Sequence, residues 1–423
     1  MLRGTTLPIA RSRATVITLC FLLGFLNYLD RVVISFSVAP IQQEFGLNNT
    51  EFGFLMSAFA LGTLSINGVS GWILDKSSVR LVWTISVLAW STVMVLQGLA
   101  PTLLVFIGLR YLLGLGEGIN FPAMNRAMAD WMDPKKLGRQ ISFCLLGVPL
   151  ALMVGGPLLS NLIESFGWRV SFIILGVLGM LLGLGWMVFY RNAPREITTA
   201  KTEGESPAPR WRDLLRSPTL LATSWSFFAF GYVLFFGVSW LPGYLGQTYG
   251  MDITKVGWFS VLPWAIALAL MPLAGWISDR IMARTGSIRA SRVHLIWICQ
   301  AVAVLFFAAL IMTPNATVAL VCLSFAIGFA MMPNSPYYSI CSDLFPRQAG
   351  SATGIIVTFF SASGIISPLL TGWLSVIFGG FGAAIVALIV IVGSAVAGMV
   401  IFARPDGPPH EPPAKASDPS FAS

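Results

Sequence analysis

The chain has 423 residues, of which 56% are hydrophobic and only 10% charged, with a mean hydropathy of +0.79. Soluble domains carry about 25% charged residues, so a water-facing surface cannot be assembled from this composition. The net charge of +8 is spread too thinly for a nucleic-acid-binding face and needs a topological explanation instead.

A bilayer core of about 30 Å takes roughly 20 apolar residues per helical span. Such stretches lie at 15–38, 51–74, 81–100, 103–125, 139–163, 168–190, 219–243, 256–277, 293–312, 316–340, 350–376 and 380–402. These long unbroken runs differ from the short alternating segments of a β-barrel. The expected fold is therefore an all-α membrane protein of twelve transmembrane helices. The first stretch is too long to read as a cleavable leader and is taken as the first span.

Residues 1–190 and 218–403 each hold six spans. Between them, 191–217 is polar and Pro-bearing and reads as a linker, with a short interfacial helix expected around Trp211–Arg216. Residues 404–423, rich in Pro, Ser and Ala, read as a disordered tail. With the N-terminus inside, all but four of the 26 Lys and Arg fall in inner segments; the exceptions are Arg31, Arg110, Arg169 and Lys255. Both termini are thus expected in the cytoplasm. The five Cys lie in or beside apolar runs with no CxxC pair, and His294 and His410 stand apart. No metal, cofactor, membrane-enzyme cluster or P-loop is implied.

GWILDK (Gly71–Lys76) recurs as GWISDR (Gly275–Arg280), each at the inner end of the second span of its half. A parallel repeat of two six-helix halves is the pattern of major facilitator carriers, whose substrate site lies between the halves near mid-membrane. Asp75 with Arg80, and Asp279 with Arg280, are the residues expected to latch the cytoplasmic side.

All but four charged residues fit loops, tails or helix ends. Asp30 and Arg31 lie within the first span, and Arg110 and Glu117 within the fourth. An ion inside lipid costs at least a few kcal/mol, so it marks function. Arg110 and Glu117 are two turns apart on one face, beside Gly114, Gly116 and Gly118. Asp30–Arg110 and Arg31–Glu117 are both available as cross-helix pairs, and the sequence does not choose. Protonating Asp30 or Glu117 would free an arginine fork for a substrate carboxylate. The expected function is import of a small organic carboxylate with protons. Exchange or export of the same anions, sodium coupling, and a transport-inactive anion sensor are the rival readings.

NYLDR (Asn27–Arg31) and GLRYLLGLGEGINFPAMN (Gly108–Asn125) resemble the anion:cation symporter family of the major facilitator superfamily. FGWRVSF (Phe166–Phe172), WLPGYL (Trp240–Leu245) and GWISDR look like that family too. That family includes bacterial aldonate, hexuronate and phthalate carriers, sialin and the vesicular glutamate transporters. The resemblance implies that Arg31, Arg110 and Tyr28 bind the anion, that Asp30 and Glu117 carry protons, and that the carrier works as a monomer. The implied location is a bacterial inner membrane.

The chain departs from the family at Thr63 and Asn67, where Tyr and Gln are usual, and at Val357 and Phe360, where polar or small residues are usual. Fewer hydroxyl-binding donors, with Phe359 and Phe360 added, favour a less hydroxylated or partly aromatic acid. The second half has no deep ion, so Tyr232, Asn334 and Ser361 are its expected substrate contacts, with Tyr337 and Ser363 nearby. Pro333 and Pro336 should interrupt the tenth span beside a cavity.

Overall fold

The computed structural model describes residues 9–132, 137–191, 211–313, 315–345 and 348–405. In lipid every backbone polar group has to be satisfied internally, and the elements of the described residues are accordingly helices joined by short turns. The first half contains α1 (Ile9–Phe36), α2 (Val38–Phe45), α3 (Asn49–Lys76), α4 (Val79–Gly98), α5 (Leu103–Glu117), α6 (Asn120–Trp131), α7 (Leu137–Leu145) and α8 (Gly147–Phe189). The short α9 (Trp211–Arg216) stands where the interfacial helix was expected; residues 192–210 of the linker and 406–423 of the tail lie outside the described residues. The second half contains α10 (Pro218–Tyr249), α11 (Ile253–Phe259), α12 (Val261–Thr285), α13 (His294–Ile311, entered through a π turn at Arg289–Val293), α14 (Ala316–Met331), α15 (Asn334–Leu344), α16 (Ala349–Ile377) and α17 (Gly382–Phe402).

Among the described residues, ten helical stretches are long and apolar enough to cross a bilayer. One of them, Phe143–Phe189, counts twice. At 43 residues α8 would run about 65 Å if straight, twice the hydrocarbon thickness. It breaks at Gly167, whose φ of 79° and ψ of 162° suit glycine and end the helical ladder there. The twelfth span is α3, with Glu51, Asp75 and Lys76 confined to its ends. Span ends follow local chemistry. Asn48 and Glu51 close a capping box on α3, Thr102 caps α5, and Asp252 caps α11.

Three spans are interrupted where the sequence removes a backbone donor. Pro122 cannot bond Gly118, and α5 stops at Glu117 before α6 begins at Asn120. Pro149 follows the break at Leu146 between α7 and α8. Pro336 lies just beyond the break between Met331 and Asn334, as expected for the tenth span.

The bundle has a terminal end, where α1 begins and α17 finishes, and a far end carrying the α1–α3, α4–α5 and α10–α11 connections. Within the first half α8 packs on α1 and α4, and α5 on α3 and α4; within the second, α16 packs on α10, and α13 on α14 and α17. The halves meet where α16 crosses α3, α11 and α12 cross α8, and α10 crosses α1.

The hydrogen bonds joining the halves lie toward the far end. Asn49 donates to Gln247 and Ser375 at 3.0 Å each, Ser57 donates to the Ile365 carbonyl, and Thr254 donates to Glu164. Glycines make this approach possible. A Cβ on Gly372 would stand 2.2 Å from the Asn49 carbonyl oxygen, and one on Gly156 would stand 2.3 Å from that of Gly257. A large side chain at either position has to push the halves apart at this end. Gly372→Leu should therefore open it. A single cysteine at Ala60, which lines the central cavity, should then react several-fold faster with a membrane-impermeant maleimide supplied at the far end. Unchanged labelling would show that this contact is not a gate.

Glu44 ties α2 to the second arm of α8. It accepts from Arg169 Nη2 at 2.5 Å and Trp168 Nε1 at 2.9 Å, and the guanidinium holds its carboxyl below the usual range.

Candidate substrate cavity

The site is built outward from a close crossing of α3 and α5. A Cβ on Gly62 would meet the Tyr111 carbonyl oxygen at 2.1 Å, and one on Gly114 would meet that of Phe59 at 2.1 Å, so both positions need glycine. This contact lays the Phe59 ring over two guanidiniums, with the Arg31 and Arg110 Cζ atoms each 5.0 Å from its centroid. Ser86 donates to the Gly116 carbonyl at 2.6 Å and braces the broken end of α5.

Arg31 Nε donates to Glu117 Oε2 at 2.9 Å, so the structure forms one of the two cross-helix pairs that the sequence left open. The Glu117 side chain is fully buried and that of Arg31 is 11% exposed. The Tyr28 ring lies 4.9 Å from the Arg31 Cζ, one helical turn earlier on α1. With Nε engaged by Glu117, the guanidinium of Arg31 stands in the lining of the cavity.

Between the halves lies a cavity of about 550 Å³. Tyr28, Arg31, Phe59, Thr63, Glu117 and Asn125 face it from the first half. The second half contributes Phe227, Phe230, Phe235, Asn334, Phe360 and Ser361. Of the residues expected at a substrate site, the structure thus gathers Arg31, Tyr28, Asn334 and Ser361 around one space, with Glu117 in the wall.

Arg110 and Asp30 stand one layer deeper. Both are buried and absent from the cavity lining. Arg110, expected to touch substrate directly, stands behind the Phe59 ring in this structure. Neither Asp30 oxygen meets a hydrogen-bond donor, and two of the Arg110 nitrogens are likewise unpartnered.

Tyr232, expected as a substrate contact, likewise stands away from the lining. It is fully buried outside the cavity lining, and its backbone carbonyl accepts from Ser367 of α16 at 2.9 Å. Tyr337 turns into the second half, within hydrogen-bonding range of Ser226 and Gln300.

The latch residues are arranged differently from the expectation. Asp279 accepts from Arg292 Nη1 at 2.9 Å, and Arg292 Nε also donates to Asp343 at 2.9 Å. Arg280 instead places its guanidinium over the Trp276 ring at 5.0 Å. Arg80 donates to the Met187 carbonyl at the close of α8, and the Asp75 side chain lies outside the described residues. Arg292 was not singled out in the sequence because it sits among four inner arginines of equal apparent standing.

Twelve spans in two halves around a central cavity define a membrane carrier fold. The chain matches the Major Facilitator Superfamily over residues 20–368 and 287–423, and it belongs to that superfamily. It is 30% identical over 378 residues to a probable sulfoacetate transporter of Cupriavidus necator, covering 86% of this chain and 87% of the relative. It is 28% identical to the hexuronate transporter of Bacillus subtilis, covering 86% and 88%, and 28% identical to the D-galactonate transporter of Escherichia coli O6:H1, covering 86% and 90%. These relatives are transporters of organic anions and not enzymes.

Two solved structures share the fold. A bacterial homolog of the human lysosomal transporter Spinster, in an inward-facing, unoccupied conformation, superposes with a TM-score of 0.80 at 20% identity, covering 93% of this chain and 97% of the other. A D-xylose-proton symporter superposes at 0.77 with 17% identity, covering 93% and 98%.

Proposed function

We propose that this chain is a secondary carrier importing a small organic carboxylate together with protons by alternating access. The observation that carries this reading is the Arg31–Glu117 pair in the cavity wall, a cation already engaged by a buried carboxylate. A substrate carboxylate presents the same chemistry as Glu117 and competes for the same guanidinium. If a proton moves onto Glu117, the arginine passes to the substrate and the site stays near neutral. Asp30, buried without a donor, supplies a second proton position behind the first. Arg110 acts on both through space and keeps the pocket receptive to anions. Tyr28, Asn334 and Ser361 orient the remainder of the substrate.

The basic residues Arg13, Arg80, Arg126, Arg284 and Arg292 all stand at the terminal end, which supports assigning that end to the cytoplasm of a bacterial inner membrane. With the far end held shut between the halves, the carrier is then poised toward the cell interior and acts as a monomer.

In proteoliposomes, an inwardly directed proton gradient should drive accumulation of the carboxylate above its equilibrium level. A protonophore should collapse this accumulation, and sodium should be dispensable at fixed pH. Accumulation that resists the protonophore and requires sodium would overturn the coupling assignment.

A further inference from the structure

We infer that the substrate is a monoanionic arylcarboxylate, bound head-to-arginine and ring-to-phenylalanine. This rests on the carboxylate-carrier reading above and deepens it.

The two sides of the cavity are chemically unlike. Among the described residues lining it, Arg31 is the one cation, and its third donor edge is already taken by Glu117. One guanidinium accommodates one anionic group. A second carboxylate on the same ligand would face apolar surface and lose its hydration without a counter-charge.

The opposite wall is built of rings. Phe360 of α16 packs against Phe227, Phe230 and Phe235 of α10, with centroid separations of 5.2, 6.1 and 5.3 Å. Two glycines make this cluster possible: a Cβ on Gly231 would sit 2.7 Å from Phe360 Cδ2, and one on Gly364 would sit 2.8 Å from Phe235 Cζ. All four rings line the cavity and leave aromatic faces and edges for a planar guest.

Such a wall also rejects a sugar acid. A ring presents no donor or acceptor to a hydroxyl, and each hydroxyl buried without a partner costs on the order of tenfold in affinity. Thr63 is already committed, its hydroxyl donating to the Phe59 carbonyl at 3.2 Å. Asn334 and Ser361 stand beside the rings and serve one polar ring substituent, while Asn125, Tyr338 and Thr353 are further polar side chains of the lining.

The test is calorimetric titration of the full chain in nanodiscs with benzoate, 4-hydroxybenzoate, phthalate and D-galacturonate. The two monoanionic aromatic acids should bind at least about tenfold tighter than phthalate or D-galacturonate. Phe360→Ala should remove about tenfold of that advantage, and Phe360→Tyr should retain it. The ranking on the unaltered protein tests the inference even if Phe360→Ala fails to fold. If phthalate or D-galacturonate binds tighter, and Arg31→Ala abolishes that binding, the arylcarboxylate assignment is overturned while the carboxylate carrier stands. If no acid binds in an Arg31-dependent manner, both fall.

Discussion

Arg31→Ala should weaken carboxylate binding by at least about thirtyfold and reduce uptake to background. Removing one partner of a buried, hydrogen-bonded charge pair costs about 2–5 kcal/mol, and each 1.4 kcal/mol is tenfold in affinity. The substitution has a second effect that has to be separated from the first. It strands Glu117, whose side chain is fully buried, without its partner, and stability should fall by about 3–5 kcal/mol. Arg31→Ala combined with Glu117→Gln removes the stranded charge. The double variant should therefore recover most of the thermal stability lost by the single one, yet remain unable to bind. Arg31→Lys should lie between, since an ammonium keeps the charge and loses the planar fork. Calorimetric titration and a thermal melt on the same preparations read the two effects apart. Binding by Arg31→Ala equal to that of the parent would remove Arg31 from the substrate site.

Glu117→Gln should abolish proton-driven accumulation while leaving exchange of labelled for unlabelled substrate largely intact. Exchange requires the loaded carrier to reorient but requires no net proton release. The amide imitates the protonated carboxyl in shape and charge, so Arg31 becomes permanently available. Affinity in the variant should rise or hold, and its dependence on pH should flatten. Asp30→Asn should slow accumulation without tightening binding, because Asp30 is not paired with the arginine at the cavity wall. If Glu117→Gln accumulates substrate as the parent does, the proton position lies elsewhere.

The ionic part of this site was legible in the sequence because a charge within an apolar run is conspicuous. Asp30, Arg31, Arg110 and Glu117 stand out against their neighbours without any knowledge of packing. Their pairing was not legible. Two adjacent residues point about 100° apart on a helix, and only the rotation of α1 against α5 decides which one reaches Glu117. That rotation is set by contacts such as Gly114 against Phe59, which no local pattern encodes.

The same limit explains the second half. On α10 nearly every residue from Thr219 to Leu245 is buried, so the helix carries no polar stripe to say which side meets the cavity. Tyr232 looked like the polar residue to choose, but it faces away, while Phe227, Phe230 and Phe235 were indistinguishable from ordinary core. Asn334 and Ser361, singled out because a proline-broken helix and a departure from the family pattern drew attention to their neighbourhoods, stand in the cavity lining.

The break at Met332, by contrast, followed from the prolines of the tenth span, which were readable in advance. The partner of Asp279 was not legible for a geometric reason. Arg280, its chain neighbour, diverges around the helix, whereas Arg292 arrives on the following element with its donors aligned.

The two helices bearing all four ions, α1 and α5, belong to a single half. When the halves tilt, that half turns as one piece, and distances inside the quartet need not change. On the proposed proton coupling, uphill movement of cargo would then not be driven by pulling ions apart. It would be driven by exposing one fixed ionic device first to one compartment and then to the other. The moving half serves as a shutter, and changing its aromatic surface would retune what is carried while leaving the engine untouched.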